Sequence, residues 1–431
     1  MLDIKFIRDN LDKVKEAIKN KQLNVNLDHV IQLDDQRRKL ILETEAYRSR
    51  RNEISSKLKG APDDAIVDES RKIKEQLGRL ELELEEIESQ WKQALQTVPN
   101  IPMDDVPVGK DETENKVLKQ VGRPAKLKHV KDHMVLGQEL DLIDMERAGK
   151  VVGSRFGYWK RGAAQLELAL IQYVMKTLTD PTIMKKLAGD AGVAGSPFIP
   201  VFPPVMIKPD VYTRTGRLSP DDADDKYHLE KDDLYLIGSA EHTMVAMHID
   251  EILDAKQLPL RYIAFSTCFR RESGSYGRDV KGMLRVHQFD KLEMESFTTP
   301  EESLKEHKFL VAVQEYLMAG LELPYQVVIN CTGDMGKPNA RQIDLETWLP
   351  GQDKYRETHS ADYMTDYQAR RLNIKYRKPD GTSELVHTND ATAIAMPRIL
   401  IAIMENNQQE DGSIRVPKIL QQYTGFELIK K

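Results

Sequence analysis

Apolar residues that recur every seven positions between residues 33 and 98 constrain the fold more than any other feature of this sequence. Spacing of three and four residues, kept over nearly five heptads, predicts a coiled coil. Two helices, expected at about residues 27–59 and 65–98, must fold back as an antiparallel hairpin because the turn between them is short. The series are Leu33, Leu40, Tyr47 and Ile54, then Ile66, Ile73, Leu80, Ile87 and Ala94 together with Ser70, Leu77, Leu84, Trp91 and Val98.

Basic residues are concentrated in the half of this hairpin that lies near its turn, on a chain whose formal net charge is −6. An arm of about thirty residues per helix would be roughly 45–50 Å long and too thin to enclose a ligand. The local charge fits contact with a nucleic-acid backbone, and a merely solvated face or a dimerisation rod is the alternative. The first helix as a whole carries Arg37, Arg38, Lys39, Arg48, Arg50, Arg51, Lys57 and Lys59, and the second helix opens near the turn with Arg71, Lys72 and Lys74.

Length and composition limit the remaining possibilities. A chain of 431 residues with 40% hydrophobic residues suits two domains, one large and one small. The two cysteines, Cys268 and Cys331, are too few for a cysteine-rich zinc site and suit a reducing compartment. The first residues are charged, and no apolar run approaches eighteen residues. We therefore expect a soluble, cytoplasmic protein that does not contact membranes.

A strand, a long loop and a second strand are predicted between residues 262 and 297. The first strand begins at residues 262–265, residues 273–282 are rich in glycine and charge, and residues 284–289 alternate apolar and polar. Charged groups on a half-buried sheet need partners, which a nucleoside triphosphate would provide; a surface hairpin with scattered charge is the alternative. The polar residues are Arg270, Arg271, Glu272, Arg285, His287, Gln288, Lys291 and Glu293.

This wording, FRRESGSYGRD followed by RVHQFDKLEM, resembles motif 2 of the class II aminoacyl-tRNA synthetases in its seryl-tRNA synthetase form. Residues 163–207 resemble motif 1, and residues 387–408 resemble motif 3. The resemblance runs from FIRDN in the first helix to RVPKIL near the end, and it indicates the bacterial and eukaryotic-cytosolic type. It implies an α+β fold: an N-terminal tRNA-binding domain (1–108) with the coiled-coil arm, then a catalytic domain (109–431) built on an antiparallel sheet flanked by helices.

The resemblance also implies the reaction and its partners. The chain is expected to activate L-serine with ATP to seryl-adenylate, and to transfer serine to the 3′ end of tRNA(Ser), and of tRNA(Sec) where one exists. The expected cofactors are ATP and Mg²⁺, without zinc. The arm would hold the tRNA, and motif 1 would form a homodimer.

Site residues follow from the same resemblance, position by position. Arg270 and Arg398 are implied as the catalytic arginines, and Glu357 and Ser360 as the Mg²⁺ ligands. The implied ATP-binding residues are Arg270, Arg271, Glu272, Val286, Phe289, Glu357, Thr358, His359, Ser360 and Arg398. The implied serine-binding residues are Ser239, Ala240, Glu241, Arg270, Glu293 and Thr392.

Three segments depart from the family pattern. Ser239 replaces a threonine and keeps the hydroxyl. The family pattern C-S-N-C reads Ala-Asp-Tyr-Met at residues 361–364, and N-G-S-G-L-A reads Asp-Ala-Thr-Ala-Ile-Ala at residues 390–395, with Pro397 where glycine is usual. Thr392 keeps a hydroxyl in the second of these segments.

Three other functions are compatible with parts of the pattern. A class II synthetase of another amino-acid specificity would require additional editing or anticodon domains, for which no residues remain. A synthetase-like ligase that charges a carrier protein would lack the arm. A coiled-coil protein without activity would have lost the motif arginines, yet Arg270 and Arg398 are present.

Overall fold

The computed structural model describes residues 1–57, 64–124, 129–273 and 282–431. The turn predicted at residues 59–64 falls mostly outside the described residues, as does most of the loop at 273–282. The chain forms two compact units, Met1–Ile101 and Pro102–Lys431. Among the described helices, none combines the length and the apolar character that a membrane span requires.

The α-helices of the described residues are α1 Ile4–Asp9, α2 Leu11–Asn20, α3 Leu27–Lys57, α4 Asp64–Thr97, α5 His133–Glu139, α6 Met145–Val152, α7 Arg161–Leu178, α8 Pro181–Ala191, α9 Pro209–Thr215, α10 Glu241–Met244, α11 Ser303–Leu321, α12 Tyr367–Leu372, α13 Met396–Asn406 and α14 Lys418–Thr424.

The strands of the same residues are β1 Lys116–Val121, β2 Ile143–Asp144, β3 Tyr158–Trp159, β4 Ile199–Val201, β5 Met206–Ile207, β6 His228–Leu229, β7 Leu234–Leu236, β8 Ile252–Asp254, β9 Leu260–Phe269, β10 Gln288–Thr298, β11 Tyr325–Ile329, β12 Arg341–Leu349, β13 Lys354–Thr365, β14 Lys375–Arg377, β15 Ser383–Leu385, β16 His387–Ala395, β17 Ile414–Arg415 and β18 Leu428–Ile429.

Helices α3 and α4 pair as the heptads predict. Ion pairs join Arg37 to Glu88 at 3.1 Å and Arg50 to Glu69 at 2.7 Å, so residue numbers rise along one helix as they fall along the other. This order is that of an antiparallel coiled coil. The buried seam contains Leu40, Ile54, Ile73, Leu77 and Leu80.

The base of this coiled coil has its own apolar cluster within the first unit. Helices α1 and α2 contribute Ile7 and Val14, and the ends of α3 and α4 contribute Val30 and Leu95. Arg8 adds a hydrogen bond of 2.7 Å from its Nε to Asp34. The cluster gives α3 and α4 a packed base that does not depend on the seam further along.

The second unit is built on an eight-stranded sheet with the order β1-β11-β12-β13-β16-β10-β9-β4. Neighbouring strands are antiparallel except β4, which pairs with β9 in parallel. The expected α+β fold, with long N-terminal helices and then a sheet flanked by helices, is confirmed.

Strand β10 separates the core face of the sheet from the polar face. Leu292 and Met294 point into the main core, where Phe309 and Val313 of α11 also lie. Lys291, Glu293 and Glu295 alternate with them and therefore lie on the opposite face, because successive side chains of a strand point to opposite sides. The polar face of the central strands thus carries ionisable groups that are largely buried.

One predicted strand near this face begins later than expected, and one helix near it is short. The returning strand of motif 2 begins at Gln288 and not at Leu284. The helix that begins at Glu241 ends at Met244, continues as a 3₁₀ turn to His248, and gives way to strand β8. The β-branched residues Val245, Ile249 and Ile252 weaken an α-helix there.

Candidate active site

A pocket of about 230 Å³ opens on the polar face between the ends of β9 and β10 and the start of α13. Two predicted arginines, Arg270 and Arg398, line it, together with the ring of Phe289. We call it the nucleotide pocket. The lining residues are Asp225, Arg270, Glu272, Leu284, Arg285, Val286, Phe289, Lys291, Glu357, Thr358, Thr392, Ala395, Pro397 and Arg398.

Arg270 follows the last residue of β9 and is held on two sides. Its Nε donates to the carbonyl oxygen of Gly238 at 3.1 Å. Its guanidinium lies 5.3 Å from the centre of the Phe289 ring, a cation–π distance. These contacts fix the guanidinium plane while leaving the terminal nitrogens able to bind a phosphate or a carboxylate.

Glu272 lies at the mouth of the nucleotide pocket in left-handed backbone conformation, with a φ of 52°. Its carboxylate is 3.2 Å from Nε of Arg285. A non-glycine residue in this conformation costs free energy and is found where the surroundings hold the chain in place. The ion pair joins the end of the first motif 2 segment to the residues just before β10.

Glu357 and Ser360 lie three residues apart on β13, a spacing that would put them on opposite faces of a regular strand. Glu357 pairs with Glu346 and Ser360 with Asp344, so Thr358 is an extra residue in a β-bulge. The bulge brings both side chains to the polar face. Burial strongly raises the pKa of the neighbouring Asp344 carboxyl.

A second pocket, of about 210 Å³, adjoins the first and shares Lys291 and Thr392 with it. We call it the amino-acid pocket. It is lined by Arg217, Lys226, Glu241, His242, Lys291, Glu293, Ser360, Asp362, Asp390 and Thr392. Carboxylates are the most numerous groups in this set, which suits a ligand that carries an ammonium group.

Lys291, which both pockets share, lies beside Glu293 of the amino-acid pocket. The two residues lie two positions apart on the same face of β10, and their side chains form an ion pair. Nζ of Lys291 also donates to the hydroxyl of Thr392 at 3.4 Å, and the hydroxyl of Ser239 donates to Glu293 at 3.4 Å. Burial raises the pKa of Glu293, although Lys291 opposes that rise.

The structure brings most of the implied site residues to the two pockets and leaves four out of the lining. Ser239 is buried and bonds to Glu293 of the amino-acid pocket. Ala240 is fully buried beside the amino-acid pocket. His359 lies on the other face of β13, where its Nδ1 meets the hydroxyl of Thr358 at 2.9 Å. Arg271 is exposed, and its guanidinium lies 4.8 Å from the centre of the Tyr227 ring.

Eleven lining residues were not among the site residues expected from the sequence, and they include the charged residues Lys291, Asp362, Asp390 and Arg217. Lys291 could have been found, because it alternates with Glu293 on one face of a strand. Asp362 and Asp390 lie in the segments that depart from the family pattern. No sequence pattern around Arg217 indicated a site residue, because it lies in the irregular segment after α9.

Comparison with known proteins supports the assignment of the whole chain. Residues 1–102 match the family model of the seryl-tRNA synthetase N-terminal domain, and residues 226–407 match that of the tRNA synthetase class II core domain (G, H, P, S and T). A serine–tRNA ligase of Nitrosopumilus maritimus is 39% identical, with 99% of each chain covered. One from Symbiobacterium thermophilum is 40% identical over the full length of both chains.

Solved structures give the same result. The seryl-tRNA synthetase of Pyrococcus horikoshii, solved with ATP, is 39% identical and has a TM-score of 0.87, covering 100% of this chain and 99% of that one. The cytoplasmic serine–tRNA ligase of Naegleria fowleri, solved with AMP, is 28% identical with a TM-score of 0.84, again covering 100% of this chain and 99% of that one. These full-length matches confirm the resemblance seen in the motifs, and the chain belongs to the seryl-tRNA synthetase family of class II aminoacyl-tRNA synthetases.

Proposed function

We propose that this chain is a serine–tRNA ligase, which converts L-serine and ATP to seryl-adenylate and transfers serine to the 3′ end of tRNA(Ser). The observation that carries the proposal is the junction of the two pockets at Lys291 and Thr392. Arginines and an aromatic ring on one side suit a nucleoside triphosphate, and carboxylates on the other suit an amino acid. A reaction between two substrates requires their reacting atoms to meet in this way.

Activation needs no covalent bond to the protein. An oxygen of the serine carboxylate attacks the α-phosphorus of ATP, the bond from that phosphorus to the bridging oxygen breaks, and pyrophosphate leaves. Negative charge is spread over the phosphoryl oxygens in the transition state, so Arg270 and Arg398 stabilise it as fixed cations. Phe289 stacks on the adenine ring, and Glu272 accepts a hydrogen bond from its amino group.

The amino-acid pocket orients serine by its ammonium group and its hydroxyl. Glu241 and Glu293 supply carboxylates for these groups, and Thr392 supplies a hydroxyl. Alanine would leave the buried polar groups that contact the hydroxyl without a partner. A site built to bind a hydroxyl therefore discriminates strongly against alanine. A terminal ribose hydroxyl of the tRNA then attacks the carbonyl carbon of the adenylate, and AMP leaves.

Glu357 and Ser360 are the residues that would hold Mg²⁺. Their carboxylate and hydroxyl share one face, and Mg²⁺ prefers such oxygen ligands together with substrate phosphates. When bound, the ion neutralises charge on the phosphates of ATP. The described part of the chain contains no cluster of three or more His, Cys, Asp or Glu side chains suited to a metal. We propose Glu357 and Ser360 as the two protein ligands of Mg²⁺.

The coiled coil of α3 and α4 is the proposed tRNA-binding element. Its basic residues would neutralise phosphates of tRNA(Ser), and of tRNA(Sec) where a cell has one. Such a partner is consistent with a place of action in the cytoplasm, where aminoacylation serves translation.

A homodimer through the motif 1 segment is also proposed. Phe202 is 76% exposed, and Leu168, Ile199 and Met206 are exposed as well. Exposed large apolar side chains in one segment are typical of an interface between subunits. Sedimentation of the purified chain would measure its mass directly.

Pyrophosphate exchange with each of the twenty amino acids tests the activation step. Serine should support exchange far better than alanine or threonine, and serine should then be transferred to tRNA(Ser). If another amino acid exceeds serine, the chain is a class II synthetase of different specificity. If serine is activated but loaded onto a carrier protein and not onto tRNA, it is a carrier-protein ligase.

A further inference from the structure

Three carboxylates lie side by side across the central strands of the sheet. The strand register places Asp362 of β13 opposite Asp390 of β16, and Asp390 opposite Glu295 of β10. All three side chains are at least nine-tenths buried. Like charges directly opposite each other destabilise a sheet, and unpaired buried charge is costly. Burial raises the pKa of all three carboxyl groups and so favours proton uptake, and a neighbouring cation stabilises those that stay ionised.

Arg217 is a cation that reaches two members of the row, Asp362 and Asp390. Its Nη2 lies 3.0 Å from Asp362 and 3.6 Å from Asp390, and its Nε donates to Oε1 of Glu241 at 2.6 Å. Gly216 ends helix α9 with a φ of 85° just before it. This left-handed conformation, which glycine adopts without steric cost, turns the chain so that Arg217 enters the pocket.

We propose that Arg217 is the positioning and specificity-determining residue of the amino-acid pocket: it compensates the aligned carboxylates, holds Glu241 for the substrate ammonium, and closes the far wall against side chains larger than that of serine. Both acids that it bridges, Asp362 and Asp390, lie in the segments where the sequence departs from the family pattern. Arg217 makes these departures compatible with a buried site.

The hydrogen bonds that fix Glu241 are made to only one of its carboxylate oxygens. Arg217 and Gln368 both donate to Oε1, at 2.6 Å and 3.0 Å. The other oxygen, Oε2, has no hydrogen bond from the described residues and is the one available to an ammonium group. A carboxylate held on one oxygen loses less freedom when a substrate binds the other, which favours binding.

The residues that the two pockets share indicate which wall of the amino-acid pocket lies farthest from the nucleotide pocket. Lys291 and Thr392 are common to both, whereas Arg217, Glu241, Asp362 and Asp390 line only the amino-acid pocket. Arg217 thus lies on the side away from the nucleotide. A guanidinium that is bonded to several carboxylates is planar and fixed, so the methyl group of threonine cannot displace it without breaking ion pairs.

This inference rests on the proposed function, and kinetics of serine-dependent pyrophosphate exchange test it. Arg217→Gln should raise KM for serine by about tenfold or more, with a smaller change in kcat, because uncompensated carboxylates and a mobile Glu241 weaken ground-state binding. It should also reduce the selectivity for serine over threonine by about tenfold, because glutamine leaves space at the wall. Arg214→Gln, in the preceding helix, is the matched control and should change neither quantity.

Charge rescue separates this role from a general effect on folding. The triple variant Arg217→Gln, Asp362→Asn, Asp390→Asn removes the cation and two of its partners together, and should recover a KM close to that of the wild type. Asp362→Asn with Asp390→Asn alone should raise KM, because Arg217 then competes with the substrate for Glu241. If Arg217→Gln does not fold, the triple variant and this double variant still give the comparison.

Three results would overturn the inference. The first is an unchanged KM and threonine selectivity in Arg217→Gln, the second is a triple variant no better than Arg217→Gln, and the third is a double variant equal to wild type. Each of these results is measured in variants of a chain whose wild type activates serine. A wild-type chain without serine-dependent exchange would instead refute the proposed function.

Discussion

Arg398 donates from Nη1 to the carbonyl oxygen of Glu357 at 2.6 Å, and the same nitrogen lies 3.1 Å from the Glu357 carboxylate. The first turn of α13 is thereby tied to the bulged part of β13. Burial would raise the pKa of Glu357, but the charge and hydrogen bond of Arg398, together with the charges of Arg270 and Lys291, outweigh burial and hold the pKa below its usual value. Glu357 is therefore ionised near neutral pH and able to bind a cation.

Glu357→Gln should increase the Mg²⁺ concentration needed for half-maximal pyrophosphate exchange by about tenfold or more, because the amide keeps the shape and removes the charge. A Mg²⁺ titration of the exchange rate measures this. Glu384→Gln, which alters a carboxylate of the small β14–β15 sheet, should leave the titration unchanged. An unaltered Mg²⁺ requirement in Glu357→Gln would remove this residue from the proposed ligand set.

Arg270→Ala should lower the rate of serine-dependent exchange by roughly 100-fold or more, since one fixed cation or donor at a developing charge typically contributes a few kcal/mol. Circular dichroism and sedimentation should match those of the wild type. Arg377→Ala, an exposed arginine of β14, serves as the control. Near-normal exchange in Arg270→Ala would contradict the motif 2 assignment.

Truncation of the coiled coil should separate the two half-reactions. Removal of residues 41–84 and closure with a short glycine-serine turn keeps the base cluster of Ile7, Val14, Val30 and Leu95. Pyrophosphate exchange should stay close to wild type, while tRNA charging should fall by about 100-fold or more, because the basic residues that neutralise phosphates are lost. An equal loss in both assays would mean that the coiled coil supports the catalytic unit.

Thr392→Val keeps the shape of the side chain and removes the hydroxyl that Lys291 contacts. KM for serine should rise, and the ratio of kcat/KM for serine over alanine should fall by about tenfold, because the pocket then has one polar partner fewer for the substrate hydroxyl. Thr382→Val, in the turn before β15, is a control outside both pockets. An unchanged serine-to-alanine ratio would show that Thr392 does not contact the hydroxyl.

Two buried histidines predict a loss of stability in mild acid. Burial lowers the pKa of His307 and of His359 to about 4. Between pH 6.5 and 4 the unfolded chain binds these protons and the folded chain does not, so the free energy of unfolding falls as pH falls through this range. Each histidine contributes at most about 1.4 kcal/mol per pH unit.

Urea unfolding at several pH values between neutral and mildly acidic checks this dependence. His359→Gln should flatten the fall in the free energy of unfolding, and the exposed His29→Gln should not. Equal slopes in His359→Gln and the wild type would show that His359 is protonated in the folded protein.

Residues with strong local patterns were the ones whose positions the sequence could predict. Leu40, Ile54 and Leu80 are buried where the heptads require it, because period and burial are linked directly in a helix pair. Lys291 and Glu293 share a face because alternation in a strand is equally direct. The end of the helix after Glu241 was less predictable, since several weak preferences compete at such an end.

Arg217 and the carboxylates around it show where local patterns stop being informative. Asp362 and Asp390 are 28 residues apart in the chain, and only the pairing of β13 with β16 sets them opposite each other. Arg217 comes from a third segment whose conformation is set by Gly216. Charge neutralisation between residues that are far apart in the chain produces no periodic sequence pattern. The sequence therefore shows that Asp362 and Asp390 are unusual, but it does not show that Arg217 is their partner.

The extra residue Thr358 has a consequence for anyone who aligns or transplants this site. In a regular strand, two residues that share a face are separated by an even number of positions. Glu357 and Ser360 are separated by an odd number of positions and still share a face. Their spacing in the sequence therefore indicates an irregular backbone between them. A designer who copies the two side chains onto a flat strand must shorten the spacing by one, because the three-residue spacing without the bulge would send the carboxylate into the core.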